Sequence, residues 1–159
     1  MGCSGPRSRR HTRRREGRGR HGTAVSDRAA TGTPGSPSGR LDSVSLRGIT
    51  ATGHHGVFAH ERRDGQPFVV DLVLHLDLQP AGTSDDLART AHYGEVADHV
   101  HAIIGGEPFE LIEALAETIA TAVLGTYPVA AVDVTVHKPQ APIAVPFDDV
   151  AVTLRRSRP

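Results

Sequence analysis

The strongest constraint on the fold is the alternation of side chains between Pro67 and Leu78. Leucine occupies every second position from 72 to 78, and polar residues stand at most of the positions between. Because successive side chains of a β-strand point to opposite faces, this period of two predicts a strand with one buried and one largely solvated face. Such a strand is typical of an antiparallel sheet that is covered on one side only.

Weaker patterns on both sides of this strand predict the other elements. In chain order, we expect strands at 43–48 and 67–78, helices at Tyr93–Ile104 and Leu111–Leu124, and strands at 132–137 and 150–154. A helical turn is expected within Val57–Arg63, a loop over Pro80–Asp86, and Glu110 at the cap of the second helix. The order β-β-α-α-β-β indicates an α+β fold with an antiparallel sheet and two helices on one face.

Charge divides the chain near residue 41, although the formal net charge of the whole sequence is zero. Residues 1–40 carry ten arginines and two acidic residues, a net charge of +8, whereas residues 41–159 carry a net charge of −8. The first segment is rich in Arg, Gly, Pro and Ser and cannot bury enough apolar surface to offset the entropy of ordering. We therefore predict a disordered tail over 1–40 and one folded domain over 41–159.

The basic tail allows a reading of a different class, a nucleic-acid-binding protein, because clustered arginine attracts phosphate. No aromatic residue is interleaved there for base stacking, and the rest of the chain is acidic. An extension without a role of its own, or one translated upstream of the true start, has the same composition. We favour these readings and expect no nucleic-acid partner.

Several kinds of protein are disfavoured by composition. Cys3 is the only cysteine, so neither an internal disulfide nor a cysteine-based metal site can form. No apolar run approaches the roughly 18 residues of a membrane span, and no secretory signal is present. The histidine pairs His54/His55 and His99/His101 are spaced so that their side chains diverge. We expect a cytoplasmic protein with no membrane partner, no metal and no cofactor.

Lys138 is the only lysine in a chain with seventeen arginines, and it stands at the end of a predicted strand, before Pro139. Lysine can change its protonation state in a suitable environment, whereas arginine effectively cannot. Tyr93 opens the first long helix, where its phenol could relay a proton. The alternatives are a surface lysine that caps a strand and a tyrosine that packs on the sheet.

Two carboxylates are further candidates for chemistry. Glu113 lies in the first turn of the second long helix, where the helix dipole keeps it ionised and able to accept two parallel hydrogen bonds. Glu61 lies in the irregular segment between the first two strands, a kind of segment that often carries function. The alternatives are a carboxylate that only complements the dipole and an exposed charge in a turn.

Taken in order and with their spacing, short motifs of the chain resemble the dihydroneopterin aldolase family. They are LRG at 46–48, GHHG at 53–56 followed by Glu61, QPFVVD at 66–71, HYGEV at 92–96, LIEALAE at 111–117 and HKPQAPI at 137–143. The resemblance covers residues 42–157. It implies the tunnelling fold, with subunits that assemble into a ring, commonly an octamer of two stacked tetramers, and with the pterin site between neighbouring subunits.

The resemblance also implies a reaction of folate biosynthesis. Such enzymes split 7,8-dihydroneopterin into 6-hydroxymethyl-7,8-dihydropterin and glycolaldehyde, and they also epimerise the side chain at C2′. Glu113 would hold the aminopyrimidinone edge of the pterin with backbone groups near Ile112. Lys138 would act as general acid and base. Because the C=N bond at N5 of the pterin serves as electron sink, no imine with lysine is needed.

Three further roles are implied by the same resemblance. Tyr93 would relay the proton that distinguishes cleavage from epimerisation and would contact the substrate, as would His92 beside it. Glu61 would lie near the reacting end of the substrate and set the protonation of the lysine. Two close alternatives remain open, an epimerase of a dihydroneopterin triphosphate and a zinc-dependent relative of the same fold. The first would need a basic patch, for which the domain offers few cations.

Overall fold

The computed structural model describes residues 41–159, so the prediction for 1–40 lies outside the described residues. The elements are β1 (Asp42–Gly53), α1 (Ala59–Asp64), β2 (Gln66–Leu76), α2 (Gln79–Ser84), a 3-10 turn (Leu87–Arg89), α3 (Tyr93–Ile104), α4 (Ile112–Thr126), β3 (Ala131–His137) and β4 (Ala151–Ser157). In this part of the chain no helix is long and apolar enough to cross a membrane.

The four strands form one antiparallel sheet in the order β1-β2-β3-β4. The alternation that opens the sequence argument sets its two faces, since Leu72, Leu74 and Leu76 are buried in the core while the residues between them are only half-buried. The helix α3 packs against β1, and α4 packs against β3 and β4, with both helices contributing to the same core. The predicted α+β fold with two helices on one face is confirmed.

The second face of the sheet carries polar pairs between neighbouring strands. His75 Nε2 lies 2.7 Å from Asp133 Oδ2, the hydroxyls of Thr135 and Thr153 lie 2.9 Å apart, and His137 Nδ1 contacts a carboxylate of the β3–β4 loop. Cross-strand pairs of this kind stabilise a sheet that has no second layer above it. These pairs place the His137 side chain on the polar face. Because side chains alternate along a strand, the side chain of the next residue, Lys138, lies on the other face.

Two local predictions were wrong. Residues 79–84 form α2 and not a loop, because Pro80 occupies the first turn of that helix, where its missing N–H has no cost. The Thr83 and Ser84 hydroxyls donate to carbonyl oxygens of the same helix. The cap of α4 is Leu111 rather than Glu110, and no side chain caps this helix end. The sequence gives no capping signal at this helix start, because α4 is stabilised mainly by its buried apolar stripe.

Candidate active site

A pocket of about 330 Å³ opens where the end of β3, the helix α1 and the start of α4 meet. Four of the six predicted site residues line it: Glu61, Ile112, Glu113 and Lys138. Apolar side chains supply most of the remaining wall, among them Val57, Phe58, Leu111, Ile143 and Val152. A concave apolar site with a few convergent polar groups is the usual form of a small-molecule pocket.

Lys138 is placed in this pocket by the alternation of β3. The side chain of His137 lies on the polar face of the sheet, so the next side chain lies on the helix-covered face. The backbone N–H of Lys138 donates to Val150 O over 2.8 Å, which joins the two ends of the loop 138–150. Its side chain is largely buried, and Nζ lies 2.6 Å from Glu61 Oε1. The reading of this lysine as a surface residue was wrong.

Glu61 is a buried residue of α1 and not an exposed charge in a turn. Its Oε2 accepts the N–H of Phe58 over 3.0 Å, and its Oε1 accepts Gln66 Nε2 over 3.2 Å. Burial acts to raise the pKa of Glu61, but the hydrogen bonds from Lys138 and Phe58 outweigh it, so the pKa lies below its ordinary value. Glu61 is therefore an ionised carboxylate at neutral pH, held against the Lys138 side chain.

Gln66 belongs to the site but was not among the predicted residues. It is buried and donates to the Glu61 carboxylate, while its own Oε1 has no hydrogen-bond partner among the described residues. A buried amide oxygen without a partner is uncommon and marks a place where a ligand or water can donate. The only sequence signal was its position in the QPFVVD motif, five residues after Glu61.

The start of α4 forms the opposite wall of the pocket. Ile112 is buried beneath it, and the Glu113 side chain is exposed to the pocket in the first helical turn. The first backbone N–H groups of a helix and its dipole favour an anionic carboxylate at this position. The arrangement can accept two N–H donors of a planar ligand at this wall while Lys138 faces its other end.

His92 and Tyr93 are not brought to this pocket within one chain. His92 caps α3, with its Nδ1 accepting the N–H of Glu95 over 3.2 Å. The Tyr93 side chain does not pack on the sheet, since 61% of its surface is exposed. Within residues 41–159, no group of three or more His, Cys, Asp or Glu side chains is arranged to hold a metal ion.

Comparison with known proteins identifies the family and the fold. The model of the dihydroneopterin aldolase family matches residues 44–155, more than half of the chain. The chain belongs to the dihydroneopterin aldolase family. Its core is 59% identical over 118 residues to the dihydroneopterin aldolase of Streptomyces coelicolor, which covers 74% of this chain and 99% of that relative. It is 43% identical over 119 residues to the Bacillus subtilis dihydroneopterin aldolase, with 74% and 99% coverage.

A solved structure shows the same likeness in three dimensions. The E. coli dihydroneopterin aldolase in complex with neopterin superimposes with a TM-score of 0.68 at 27% identity, covering 74% of this chain and 100% of the other. Family membership confirms the predicted tunnelling fold and the predicted activity, dihydroneopterin aldolase, a carbon–carbon lyase. The roles of individual residues are taken up below.

Gly56 is predicted to be irreplaceable because its backbone lies against the Glu61 carboxylate. A Cβ at residue 56 would overlap that carboxylate, and the backbone φ of +147° also favours glycine. Gly56→Ala should lower aldolase activity at least about tenfold and unfolding free energy by about 1–3 kcal/mol. Gly82→Ala, in open space on α2, is the matched control and should not lower stability, because alanine is the better helix former. Equal behaviour of the two variants would contradict the prediction.

The charged pair also predicts a dependence of stability on acid. Because the pKa of Glu61 is lower in the folded protein than its ordinary value of 4.5, the pair stabilises the fold above that pH. This contribution is lost as the pH falls through the folded pKa. Thermal unfolding at fixed protein concentration should show wild type and Glu61→Gln converging as the pH falls below the ordinary carboxyl value of 4.5. Parallel curves would mean that the pair contributes nothing.

Proposed function

We propose that this pocket binds 7,8-dihydroneopterin and cleaves its side chain to 6-hydroxymethyl-7,8-dihydropterin and glycolaldehyde. The observation that carries the proposal is the buried Lys138–Glu61 ion pair in the pocket wall. A proton-transfer group held in a mostly apolar pocket beside a fixed countercharge is typical of catalytic sites.

The chemistry asks mainly for proton transfers. When the C1′–C2′ bond breaks, its electron pair can move into the C=N bond at N5 of the pterin, which then gains a proton. A base has to remove the proton of the 2′-hydroxyl. An acid then has to protonate C1′ while N5 gives up the proton it gained, which restores the C=N bond of the product. Lys138 is the group of the pocket best suited to these steps, directly or through a water molecule, and Glu61 stabilises its ammonium form. No cofactor enters this scheme.

Glu113 and the backbone near Ile112 are proposed to hold the pterin ring. The 2-amino group and the adjacent ring N–H of a pterin present two parallel donors, which match the two oxygens of one carboxylate. Glu113 lines the same pocket as Lys138 and Glu61, so a ring held by Glu113 would lie in the pocket that contains the ion pair. Gln66 is not among the lining residues and supports the site through its hydrogen bond to the Glu61 carboxylate.

A second copy of the chain is proposed to complete the site with Tyr93 and His92. The pocket rim carries exposed apolar side chains, namely Val57, Phe58, Leu111 and Ile143, which a neighbouring subunit would cover. Tyr93 is exposed and lies outside its own chain's pocket. The outer strands β1 and β4 each pair with one described strand only, so their free edges could join neighbouring sheets into a ring of four or eight subunits.

Two finer assignments follow from this arrangement. We propose that Tyr93 relays the proton to C1′, so that its loss favours epimerisation at C2′ over cleavage. Dihydroneopterin triphosphate is a weaker candidate substrate, because in the described lining of the pocket Lys138 is the only cation, and it is paired.

We propose that residues 1–40 are not needed for catalysis. We also propose that the enzyme acts in the cytoplasm. The relatives align over 99% of their own length with only 74% of this chain, so the reaction needs no counterpart of the tail. A protein beginning at Leu41 should keep the aldolase activity of the full chain. Salt-dependent DNA binding by the full chain alone would instead give the tail a nucleic-acid partner.

The first test of the function follows glycolaldehyde release from 7,8-dihydroneopterin, with and without a metal chelator. Wild type should release it in both conditions, and Lys138→Ala should lower kcat by about 10²–10⁴-fold, the usual contribution of a general acid–base group. Arg63→Ala is the matched control, because that cation is exposed and, among residues 41–159, pairs only with Asp64. Epimerisation without cleavage by wild type would favour the epimerase, and inhibition by the chelator would favour a zinc-dependent relative.

Subunit mixing tests whether Tyr93 acts across an interface. Tyr93→Phe and Lys138→Ala should each lack cleavage as pure proteins. If one site combines Lys138 of one subunit with Tyr93 of its neighbour, random mixed rings should regain about one quarter of wild-type activity. If both residues act within one chain, no mixture can contain an intact site and activity should stay absent. Mixtures prepared without subunit exchange serve as the control.

A further inference from the structure

The GHHG segment contains a buried side chain that the proposed mechanism does not use. His55 has no exposed surface and does not line the pocket. Its Nε2 lies 2.8 Å from Ile104 O, and its Nδ1 accepts the N–H of Phe109 over 3.1 Å. A carbonyl can only accept and an amide N–H can only donate, so these partners require a neutral imidazole with its proton on Nε2.

Phe109 is held at both of its backbone groups by this segment. His55 takes its N–H, and the N–H of Gly56 donates to its carbonyl over 2.8 Å. The next four residues, 110–113, all line the pocket and include the proposed pterin-binding carboxylate. His55 and Gly56 therefore fix the residue that directly precedes this stretch of the pocket wall.

The same imidazole also lies beneath the catalytic wall. Its ring packs edge-on against Phe68, with 5.0 Å between centroids, and Lys138 Nζ lies 5.8 Å from the centroid of that same phenyl ring. His55 thus contacts Phe109, which precedes the lining residues 110–113, and Phe68, which lies beneath the lining residue Lys138. A change in its position would alter the spacing between the start of α4 and the Lys138–Glu61 pair.

We propose that neutral His55 is a positioning residue for substrate binding, which sets the distance between the pterin-holding residues 110–113 and Lys138. This inference rests on the proposed function of the pocket. It assigns His55 to binding rather than to the chemical step. His55 holds Phe109, which precedes the residues proposed to bind the ring, and it does not contact the Glu61 carboxylate in the described structure.

Protonation would disrupt this arrangement. An imidazolium has no acceptor, so its Nδ1–H would face the N–H of Phe109. Burial lowers the pKa of His55 below its ordinary value, and the nearby charges of His54 and Lys138 act in the same direction. The folded protein therefore keeps the ring neutral below the pH at which an exposed histidine gains a proton, and stability attributable to His55 falls as the pH drops through that window.

Two variants separate the two hydrogen bonds. In His55→Gln the longer side chain can still donate to Ile104 O but leaves the N–H of Phe109 unpaired. In His55→Asn the side-chain oxygen can replace Nδ1 as the acceptor for Phe109. We expect His55→Gln to raise KM for dihydroneopterin and Kd for neopterin about tenfold, with kcat within about twofold, and His55→Asn to change them less than about threefold.

The outcomes distinguish positioning from general destabilisation. Partial unfolding would lower apparent kcat in both variants and leave KM unchanged, which would overturn the proposal, as would equal KM values in the two variants. Wild-type protein is assayed alongside, since absence of cleavage there would refute the proposed function itself. If neither variant folds, neopterin affinity and the NMR titration of His55 are followed on wild type. Affinity that falls as His55 gains its proton supports the proposal, and titration without loss of affinity overturns it.

Discussion

The buried ion pair between Lys138 and Glu61 is the interaction on which the site depends. Removing two charges from water is costly, and their attraction offsets this only when the remaining hydrogen bonds are also made. Here the N–H of Phe58 and the side-chain amide of Gln66 donate the remaining hydrogen bonds to the Glu61 carboxylate, and Gly56 leaves room for it. Loss of either hydrogen bond would leave the buried carboxylate incompletely satisfied, and loss of Lys138 would leave its charge uncompensated in a mostly apolar pocket. The segment from 53 to 66 is therefore constrained as a unit.

The sheet brings these distant parts of the chain together. Glu61 lies between β1 and β2, whereas Lys138 follows β3. The pairing of Val69 with His137 sets the start of β2 beside the end of β3. The alternation of β3 then places the lysine on the helix-covered face, next to α1 and the start of α4. Strand register thus decides which side chains meet, because a shift by one residue would send the lysine to the opposite face.

Much of the fold could be predicted because its elements have regular periods. The leucine alternation identified β2, and the helical spacing identified α3 within its observed bounds. The helix α2 was missed because Pro80, Gly82, Thr83 and Ser84 have low helix propensity, and local backbone contacts hold it instead. Glu113 and Lys138 were found as candidates from residue type and position. His55 was not, because its partners Ile104 and Phe109 lie far away in the chain, and Gln66 was not, because its role depends on the burial of Glu61.

The sequence by itself determined a sheet with one covered face, a helix pair above it, and the family to which the motifs point. Only the tertiary structure decided that Glu61 is buried beside Lys138, that Gln66 completes the pair, and that Tyr93 lies outside its own chain's pocket. The physical reason is that periodicity reports which face of one element is apolar. Burial, ion pairing and subunit boundaries depend on which other elements cover that face.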